Sequence, residues 1–232
     1  MKKILILFII IILIISAIIG IYINKGYKMY KEALIEDGKI EDILKKTKEK
    51  ENYTKLSELP DIYIKAVLAV EDNRFYKHKG INIRAIGRAI INDIKNMKFV
   101  EGGSTITQQL AKNIYFTQAK KMERKVAEIF MTYEIEKELT KDEILELYLN
   151  TSYFGDGYYT VKEASRGYFN KEPMEMTAYE AILLAGIPNA PSVYAPTKNP
   201  ELAIQRQKQV IEKMITYKYI TREQANEILK NK

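Results

Sequence analysis

The hydrophobic pattern of the chain begins with one apolar run, residues 4–23, which contains no charged side chain. About 20 residues at a rise of about 1.5 Å per residue span a hydrocarbon core of about 30 Å, so this run predicts a transmembrane helix. A cleaved signal peptide is the alternative, but its apolar part is normally about 7–15 residues long and ends at a small-x-small site. The run here is longer and no clear A-x-A site follows it, which favours an uncleaved anchor.

The charges that flank this run leave its orientation open. Lys2 and Lys3 precede it and Lys25, Lys28 and Lys31 follow it, so the positive-inside rule does not separate the two ends. The very short tail before the run favours a cytoplasmic N-terminus. We therefore expect a single-pass protein of the cell membrane whose remaining residues are extracytoplasmic.

Beyond the anchor, the spacing of apolar residues is typical of helices. No long stretch alternates between apolar and polar residues, whereas apolar residues recur at three- and four-residue steps. We predict a cytoplasmic tail (1–3), the transmembrane anchor (4–23), a polar and partly helical juxtamembrane connector (24–57) and a mainly α-helical domain (58–232). Only 11 Gly and 6 Pro residues also argue against a turn-rich all-β fold.

Several helix starts are marked by Pro or by a capping box, in which Thr is followed three residues later by Glu or Gln. Pro60 and Pro200 each open a predicted helix. The capping-box pairs are Thr105 with Gln108, Thr140 with Glu143, Thr177 with Glu180, and Thr221 with Gln224. A long helix is predicted over roughly residues 121–139, with Val126, Ile129, Phe130 and Tyr133 inward. Another apolar stripe predicts a helix through Ile83, Ile86, Ile90, Ile91, Ile94 and Met97.

Composition limits the chemistry that the domain can perform. The chain has no Cys, one His (His78) and no Trp, which excludes disulfides, thiolate metal sites, a Cys nucleophile and a His-rich metal centre. The formal net charge of +7 is compatible with nucleic acid, anionic lipid or a phosphorylated substrate. Because an anchor precedes the domain, we expect membrane lipid as a partner and no nucleic acid.

The first candidate for chemistry is a pair of adjacent acids, Glu71 and Asp72, at the end of an apolar helix. A helix C-terminus carries partial negative charge and prefers cations, so this position tends to raise the pKa of a carboxylate. A raised pKa suits a general base or acid. The structural alternative is an acidic helix end that is capped by Arg74 or Lys77, and the pattern alone does not exclude it.

The second candidate is the segment 102–113, in which two glycines lead into a predicted helix. Such a start exposes free backbone N–H groups at the positive end of the helix, which suits a phosphate group. Polar side chains surround it: Ser104, Thr105, Thr107, Gln108, Gln109 and Lys112. The G-x-x-x-x-G-K-[ST] spacing of a nucleotide P-loop is absent. A Gly-Gly turn with a Thr cap is also common in ordinary helices.

The third candidate is the group Arg124, Lys125 and Glu128 in the predicted long helix. Arg124 and Glu128 share a helix face, so one interpretation is an i,i+4 surface ion pair of about 0.3–0.5 kcal/mol. The other is a second carboxylate with cations beside a diphosphate. The spacing leaves both open.

Several long motifs follow one another along roughly residues 58–227. They are VEDNRFYKHKG, GGSTITQQLAKN, RKVAE and KDEILELYLN, followed by NTSYFGDGYYT, ASRGYF, LLAGIPNAPSVYAP and NP with Arg206. In this order they resemble the peptidoglycan glycosyltransferases, the lysozyme-like polymerases of the bacterial cell wall, in their monofunctional form.

The resemblance implies that the domain joins a growing glycan chain to the 4-hydroxyl of lipid II, a disaccharide-pentapeptide on undecaprenyl diphosphate, with inversion to a β-1,4 bond. Glu71 and Glu128 match the family's catalytic glutamates. Glu71 corresponds to the general base, and Glu128 to a residue that organises the donor diphosphate, with or without a divalent cation (Mg or Mn). The matching substrate-binding positions are Asp72, Phe75, His78, Arg88, Gly103, Ser104, Thr105, Gln108, Gln109, Lys112, Asn113, Arg124 and Lys125.

Two departures from the family pattern concern cations. The family often has an Arg in the loop before the third motif, where Lys120 or Lys121 stands, and a Lys before the second glutamate, where Ala127 stands. Lys lacks the bidentate fork of Arg, so the sequence does not decide which cations contact the diphosphate. Arg124 and Lys125 are candidates to compensate.

Two other functions are alternatives. A membrane-anchored lysozyme-like hydrolase would use water as the nucleophile in place of a sugar hydroxyl. An inactive scaffold of wall synthesis would need neither Glu71 nor Glu128, and both are intact. The sequence contains no Ser-x-x-Lys, so we expect no transpeptidase activity. Other cell-wall synthases are further candidate partners.

Overall fold

A computed structural model describes residues 2–88, 102–116 and 122–230, and every regular element within these ranges is helical. The predicted mainly α-helical fold is therefore confirmed for this part of the chain. The helices are α1 Lys2–Glu36, α2 Ile40–Lys48, α3 Asp61–Glu71, α4 Ile106–Tyr115, α5 Met122–Glu138, α6 Lys141–Leu149, α7 Val161–Phe169, α8 Ala178–Gly186, α9 Pro191–Tyr194, α10 Pro200–Thr216 and α11 Arg222–Lys230.

Helix α1 carries the predicted anchor and continues well beyond it. By length and composition it could cross a membrane, with a mean hydropathy of 3.6 in its most apolar window. The apolar side chains of residues 4–15 are all exposed, as expected for a surface that lipid would cover. The first part of the predicted connector, residues 24–36, belongs to the same helix, so the connector begins as a rigid extension of the anchor.

The C-terminal part of α1 packs closely on α5. A Cβ atom at Gly26 would lie 2.5 Å from Cβ of Val126, so only glycine allows the two helices to approach this closely. One turn further on, the rings of Tyr27 and Phe130 meet edge to face with centroids 5.3 Å apart. Tyr30 then donates a hydrogen bond of 3.2 Å to Glu134. These contacts attach the candidate anchor directly to the domain.

The buried face of α5 differs from the predicted one. Val126 and Phe130 pack against α1, Ile129 is only partly buried, and Tyr133 is 53% exposed. The buried side chains are Ala127, Glu128, Met131, Thr132 and Ile135. The prediction was wrong because it followed hydrophobicity alone, whereas this face buries a glutamate and a threonine.

Two groups of helices bring the candidate residues together. Helix α3 packs on α8 and α10, and helix α4 lies against α5 and α6. All four predicted capping boxes form; at the start of α4, for example, Gln108 N–H donates to Thr105 Oγ1 at 3.2 Å. The capping fixes where α4 begins, and that point lies beside the end of α3.

Part of the predicted apolar stripe lies outside the described residues. Residues 83–88 are helical, and Ile83 is 80% exposed. Ile90, Ile91, Ile94 and Met97 are not described, and neither are Lys120 and Lys121.

Candidate active site

The end of α3, the segment that leads into α4, and one face of α10 enclose a cavity of about 610 Å³. Seven of the predicted site residues line it: Glu71, Asp72, Arg88, Ser104, Thr105, Gln109 and Lys112. The other eight lie outside its lining: Phe75, His78, Gly103, Gln108, Asn113, Arg124, Lys125 and Glu128. The structure thus brings the first and second candidate clusters to one cavity.

Glu71 is the last residue of α3, and its carboxylate faces the cavity. One oxygen, Oε2, accepts a hydrogen bond of 2.7 Å from the side-chain amide of Gln109 on α4. The other oxygen, Oε1, is buried and has no hydrogen-bond partner. A buried acceptor without a partner is costly, so it marks a place where a ligand group could bind.

Burial raises the pKa of Glu71 above its usual range, because an ionised carboxylate is poorly stabilised away from water. The hydrogen bond from Gln109 and the charges of Arg206 and Lys112 partly oppose this shift, and the charge of Asp72 adds to it. The cations that act on Glu71 are thus Arg206 and Lys112, and not the Arg74 or Lys77 of the structural alternative. A carboxylate with a raised pKa in a cavity is suited to accept a proton.

Asp72 holds the loop that follows α3. Its Oδ2 atom lies 2.7 Å from Nε2 of His78 and accepts a hydrogen bond of 3.3 Å from the backbone N–H of Ile106. His78 Nδ1 in turn accepts from the backbone N–H of Gly80 at 3.1 Å, so Nε2 carries the proton that is donated to Asp72. Gly80 has φ of +88°, a conformation that glycine adopts readily. These residues join the end of α3 to the start of α4.

The predicted free N–H groups at the start of α4 are largely occupied. The N–H of Thr105 donates to Gln108 Oε1, that of Ile106 to Asp72, and that of Gln108 to Thr105 Oγ1. The prediction of free donors is therefore wrong for these three N–H groups, because the capping box and Asp72 occupy them.

Glu128 lies behind the cavity wall and is 1% exposed, so the interpretation as a surface ion pair was wrong. Lys125 Nζ lies 2.8 Å from Glu128 Oε2, and Arg124 Nε lies 3.4 Å from Oε1. Lys125 Nζ also donates a hydrogen bond of 3.0 Å to Ser104 Oγ, and Ser104 lines the cavity. Glu128 therefore reaches the cavity through Lys125 and Ser104.

Lys112 connects the two carboxylates electrostatically. It lines the cavity, and burial lowers its pKa, while the charges of Glu128 and Glu71 oppose that change. Arg124 and Lys125 repel it and add to the lowering. An amino group between two acids and next to a cavity is well placed to meet a phosphate oxygen.

One wall of the cavity was not predicted as part of the site, although Arg206 was named within a family motif. Helix α10 contributes Arg206, Gln209 and Lys213, Tyr217 follows it, and Asn189 adds an amide. Arg206 donates to the carbonyl of Gly186 at 3.3 Å and to Gln209 at 3.0 Å, and Arg88 donates to the Tyr217 hydroxyl at 3.5 Å. Positions 206, 209, 213 and 217 recur at helical steps, so this polar stripe was a signal that could have been noticed.

Several predicted substrate-binding residues lie outside the cavity lining and pack in the interior of the domain. Phe75 is buried in the core, with Lys141 Nζ 4.5 Å from its ring centre. Gln108 is buried and completes the cap of Thr105. Ala127 is fully buried, so a Lys in its place would point into the core instead of toward the cavity.

Within the part of the chain that the structure describes, the surroundings of Glu128 lack the oxygen donors that a divalent cation needs. The described residues contain no group of three His, Cys, Asp or Glu side chains that could bind one together. The near neighbours of Glu128 are Arg124 and Lys125, and hard divalent cations prefer several oxygen ligands. This donor set does not fit a cation held by the protein alone, and Mg²⁺ or Mn²⁺ at Glu128 stays a prediction.

Comparison with known proteins agrees with the motifs. The family model described as Transglycosylase matches residues 37–215. Penicillin-binding protein 1A of Neisseria lactamica is 42% identical over 193 residues, which is 83% of this chain and 24% of that protein. Penicillin-binding protein 1F of Bacillus subtilis (strain 168) is 44% identical over 170 residues, which is 73% of this chain and 24% of that protein. The chain thus spans about a quarter of the length of these relatives.

A crystal structure of penicillin-binding protein 1A from Haemophilus influenzae aligns with 78% of this chain and 17% of that chain, with 24% identity and a TM-score of 0.46. The family match covers most of the chain and begins within the predicted connector. The chain belongs to the transglycosylase family. This confirms the resemblance of the sequence motifs to the peptidoglycan glycosyltransferases, and the monofunctional form stays a prediction.

Proposed function

We propose that the domain polymerises lipid II by transferring a growing glycan chain from undecaprenyl diphosphate to the 4-hydroxyl of an incoming lipid II, with inversion to a β-1,4 bond. The observation that carries this proposal is the Glu71 carboxylate, which faces the cavity with Oε1 buried and unpaired. An acceptor hydroxyl in the cavity would meet a proton acceptor that no other protein group occupies.

The proposed reaction uses Glu71 as general base. The acceptor oxygen attacks the anomeric carbon of the donor while its proton moves to Glu71 Oε1. The bond between the anomeric carbon and the diphosphate oxygen breaks, and its electron pair leaves with the diphosphate. The raised pKa of Glu71 strengthens its hold on the transferred proton. A positioned general base typically contributes about 10²–10⁴-fold to the rate.

The leaving diphosphate gathers negative charge, so cations aimed at it are the second requirement. Lys112, Arg206, Arg88 and Lys213 all line the cavity. A diphosphate is a good leaving group once its charge is stabilised, so the proposed mechanism needs no general acid. Glu128 acts behind this wall, where it holds Lys125 toward Ser104.

We further propose that α1 spans the membrane with its N-terminus in the cytoplasm and the domain outside. A lipid-linked substrate cannot leave the bilayer, and the contacts between α1 and α5 would hold the cavity at a fixed distance from it. Because α1 continues unbroken from the apolar run into these contacts, it would hold the domain in one orientation relative to the anchor.

To test the proposal, the purified full chain is incubated in detergent with labelled lipid II, and the products are analysed. We expect long glycan strands, release of undecaprenyl diphosphate, no peptide cross-links and no degradation of finished polymer. Soluble muropeptides without polymer would support the hydrolase and overturn the proposal, and no product at all would support the scaffold. The matched control is Glu172→Gln, because Glu172 pairs with Arg166 on the exposed surface outside the cavity lining and should leave the rate unchanged.

A further inference from the structure

A chain of two hydrogen bonds links a buried tyrosine to Glu71. The Tyr148 hydroxyl on α6 donates to Gln109 Oε1 at 3.3 Å, and Gln109 Nε2 on α4 donates to Glu71 Oε2 at 2.7 Å. The chain crosses three helices, and Tyr148 is only 1% exposed. Tyr148 lies outside the cavity lining, so it does not contact a molecule bound there.

The side-chain amide of Gln109 can point in two directions. In one, its NH₂ group faces Glu71; in the other, its carbonyl oxygen does, and that oxygen would repel an ionised carboxylate. A hydroxyl that donates to the amide oxygen selects the first direction. Burial holds the pKa of Tyr148 well above its usual range, so the phenol keeps its proton and remains a donor.

We infer that Tyr148 is a positioning residue for the base, which orients the Gln109 amide toward Glu71 Oε2 and so reserves Oε1 for the proton of the acceptor hydroxyl. The inference rests on the proposed function and deepens it. It assigns the two carboxylate oxygens different tasks: Oε2 is held by the protein, and Oε1 performs the chemistry. It also gives Gln109, which the resemblance places among the substrate-binding residues, a role toward the base.

The charged and titratable groups around Glu71 determine how its pKa should respond when the hydrogen bonds from Tyr148 and Gln109 are lost. They are Asp72 and Tyr63 on the side of α3, Lys112 on α4, Tyr148 on α6 and Arg206 on α10. The donation from Gln109 stabilises the ionised form of Glu71 and lowers its pKa. If the amide loses its orientation, the pKa of Glu71 rises further and the base ionises only at higher pH.

The test is the pH dependence of kcat/KM for lipid II polymerisation by the full chain, with Tyr148→Phe compared with wild type. We expect the acid limb to move to higher pH by about one unit, which is about tenfold in rate on that limb, while the plateau at high pH is nearly kept. Tm should change by only about 3 °C, because the ring stays in place. A merely structural role would lower the plateau and leave the limb where it is.

Two further variants separate the explanations. Tyr63→Phe is the matched control, because the Tyr63 hydroxyl is also buried but makes no hydrogen bond, and it should leave the acid limb unmoved. In a Gln109→Ala background, Tyr148→Phe should have no further effect on the limb. The inference is overturned if the acid limb of Tyr148→Phe does not move, or if Tyr148→Phe still shifts the limb fully in the Gln109→Ala background. Either result leaves the proposed function standing. A wild-type enzyme that makes no polymer overturns the proposed function and, with it, this inference.

Discussion

Glu71 and Glu128 are both carboxylates in the interior of the domain, but their surroundings are opposite. Glu71 faces the cavity, receives one hydrogen bond from a neutral amide, and leaves Oε1 without a partner. Glu128 is covered on all sides and lies beside Arg124 and Lys125. Adjacent counter-charge, more than burial, therefore decides what an interior carboxylate can do.

The physical difference lies in what each carboxylate gains from its negative charge. Glu71 loses hydration and has only more distant cations to compensate for its charge, so its carboxylate binds a proton more readily. The charge of Glu128 is compensated by two cations and is needed to keep them in place. Glu71 is therefore suited to chemistry and Glu128 to organising the cations behind the cavity wall.

The largest expected effect is on the polymerisation rate of Glu71→Gln. The substitution keeps the shape and an acceptor for Gln109 but removes the base, so we expect a loss of about 10³-fold. The rate is measured by glycan formation from labelled lipid II. A rate within tenfold of wild type would contradict the assignment of the base.

The next effect concerns the cation between the two carboxylates. Lys112→Gln removes the positive charge that faces the cavity, so we expect a loss of about 10²-fold in kcat/KM. Because Lys112 also lowers the pKa of Glu71, the acid limb of the pH profile should move to higher pH. Lys213→Gln serves for comparison at the opposite wall, and an equal limb shift there would argue against a specific role of Lys112.

The third prediction separates stability from rate at Glu128. Glu128→Gln removes the buried negative charge beside Arg124 and Lys125, so we expect a loss of about 3 kcal/mol of stability. For a domain of this size that corresponds to a fall in Tm of about 10 °C, measured by thermal unfolding in detergent. A variant that unfolds at the wild-type temperature would show that Glu128 is not the organising partner of these cations.

The smallest effect is on the stability of Glu71→Gln. Because the folded-state pKa of Glu71 is raised, its contribution to stability is present below the unfolded-state pKa and is lost as pH rises through the folded-state pKa. The Tm values of the variant and wild type should thus agree at about pH 4, near the ordinary range of glutamate. Near pH 7 the variant should have the higher Tm, because it lacks the ionised carboxylate that burial disfavours. A variant that is less stable at both values would contradict the raised pKa.

Local features of this fold could be predicted from the sequence, because each depends on residues close together in the chain. The capping box of Thr105 and Gln108 forms as expected, and Glu71 ends its helix as expected. Features that depend on distant contacts could not. The burial of Glu128 and the bond between Gln109 and Glu71 follow from how α3, α4 and α5 pack.

The wall of the cavity that α10 forms could not be predicted for the same reason. Arg206 and Lys213 share a helical stripe, but nothing in that spacing tells which element the stripe faces. The family motifs assign Glu71 as the base and Glu128 to the donor diphosphate, and packing adds that only Glu71 lines the cavity. The domain boundaries and the orientation of the anchor stay predictions.

The most direct test of this division of labour is the pH dependence of kcat/KM in wild type, Glu71→Gln and Glu128→Gln. We predict that wild type loses activity below an apparent pKa above the ordinary glutamate range, that Glu128→Gln keeps this limb at a lower rate, and that the residual rate of Glu71→Gln does not depend on pH there. A limb that survives in Glu71→Gln and disappears in Glu128→Gln would contradict the account and exchange the two roles.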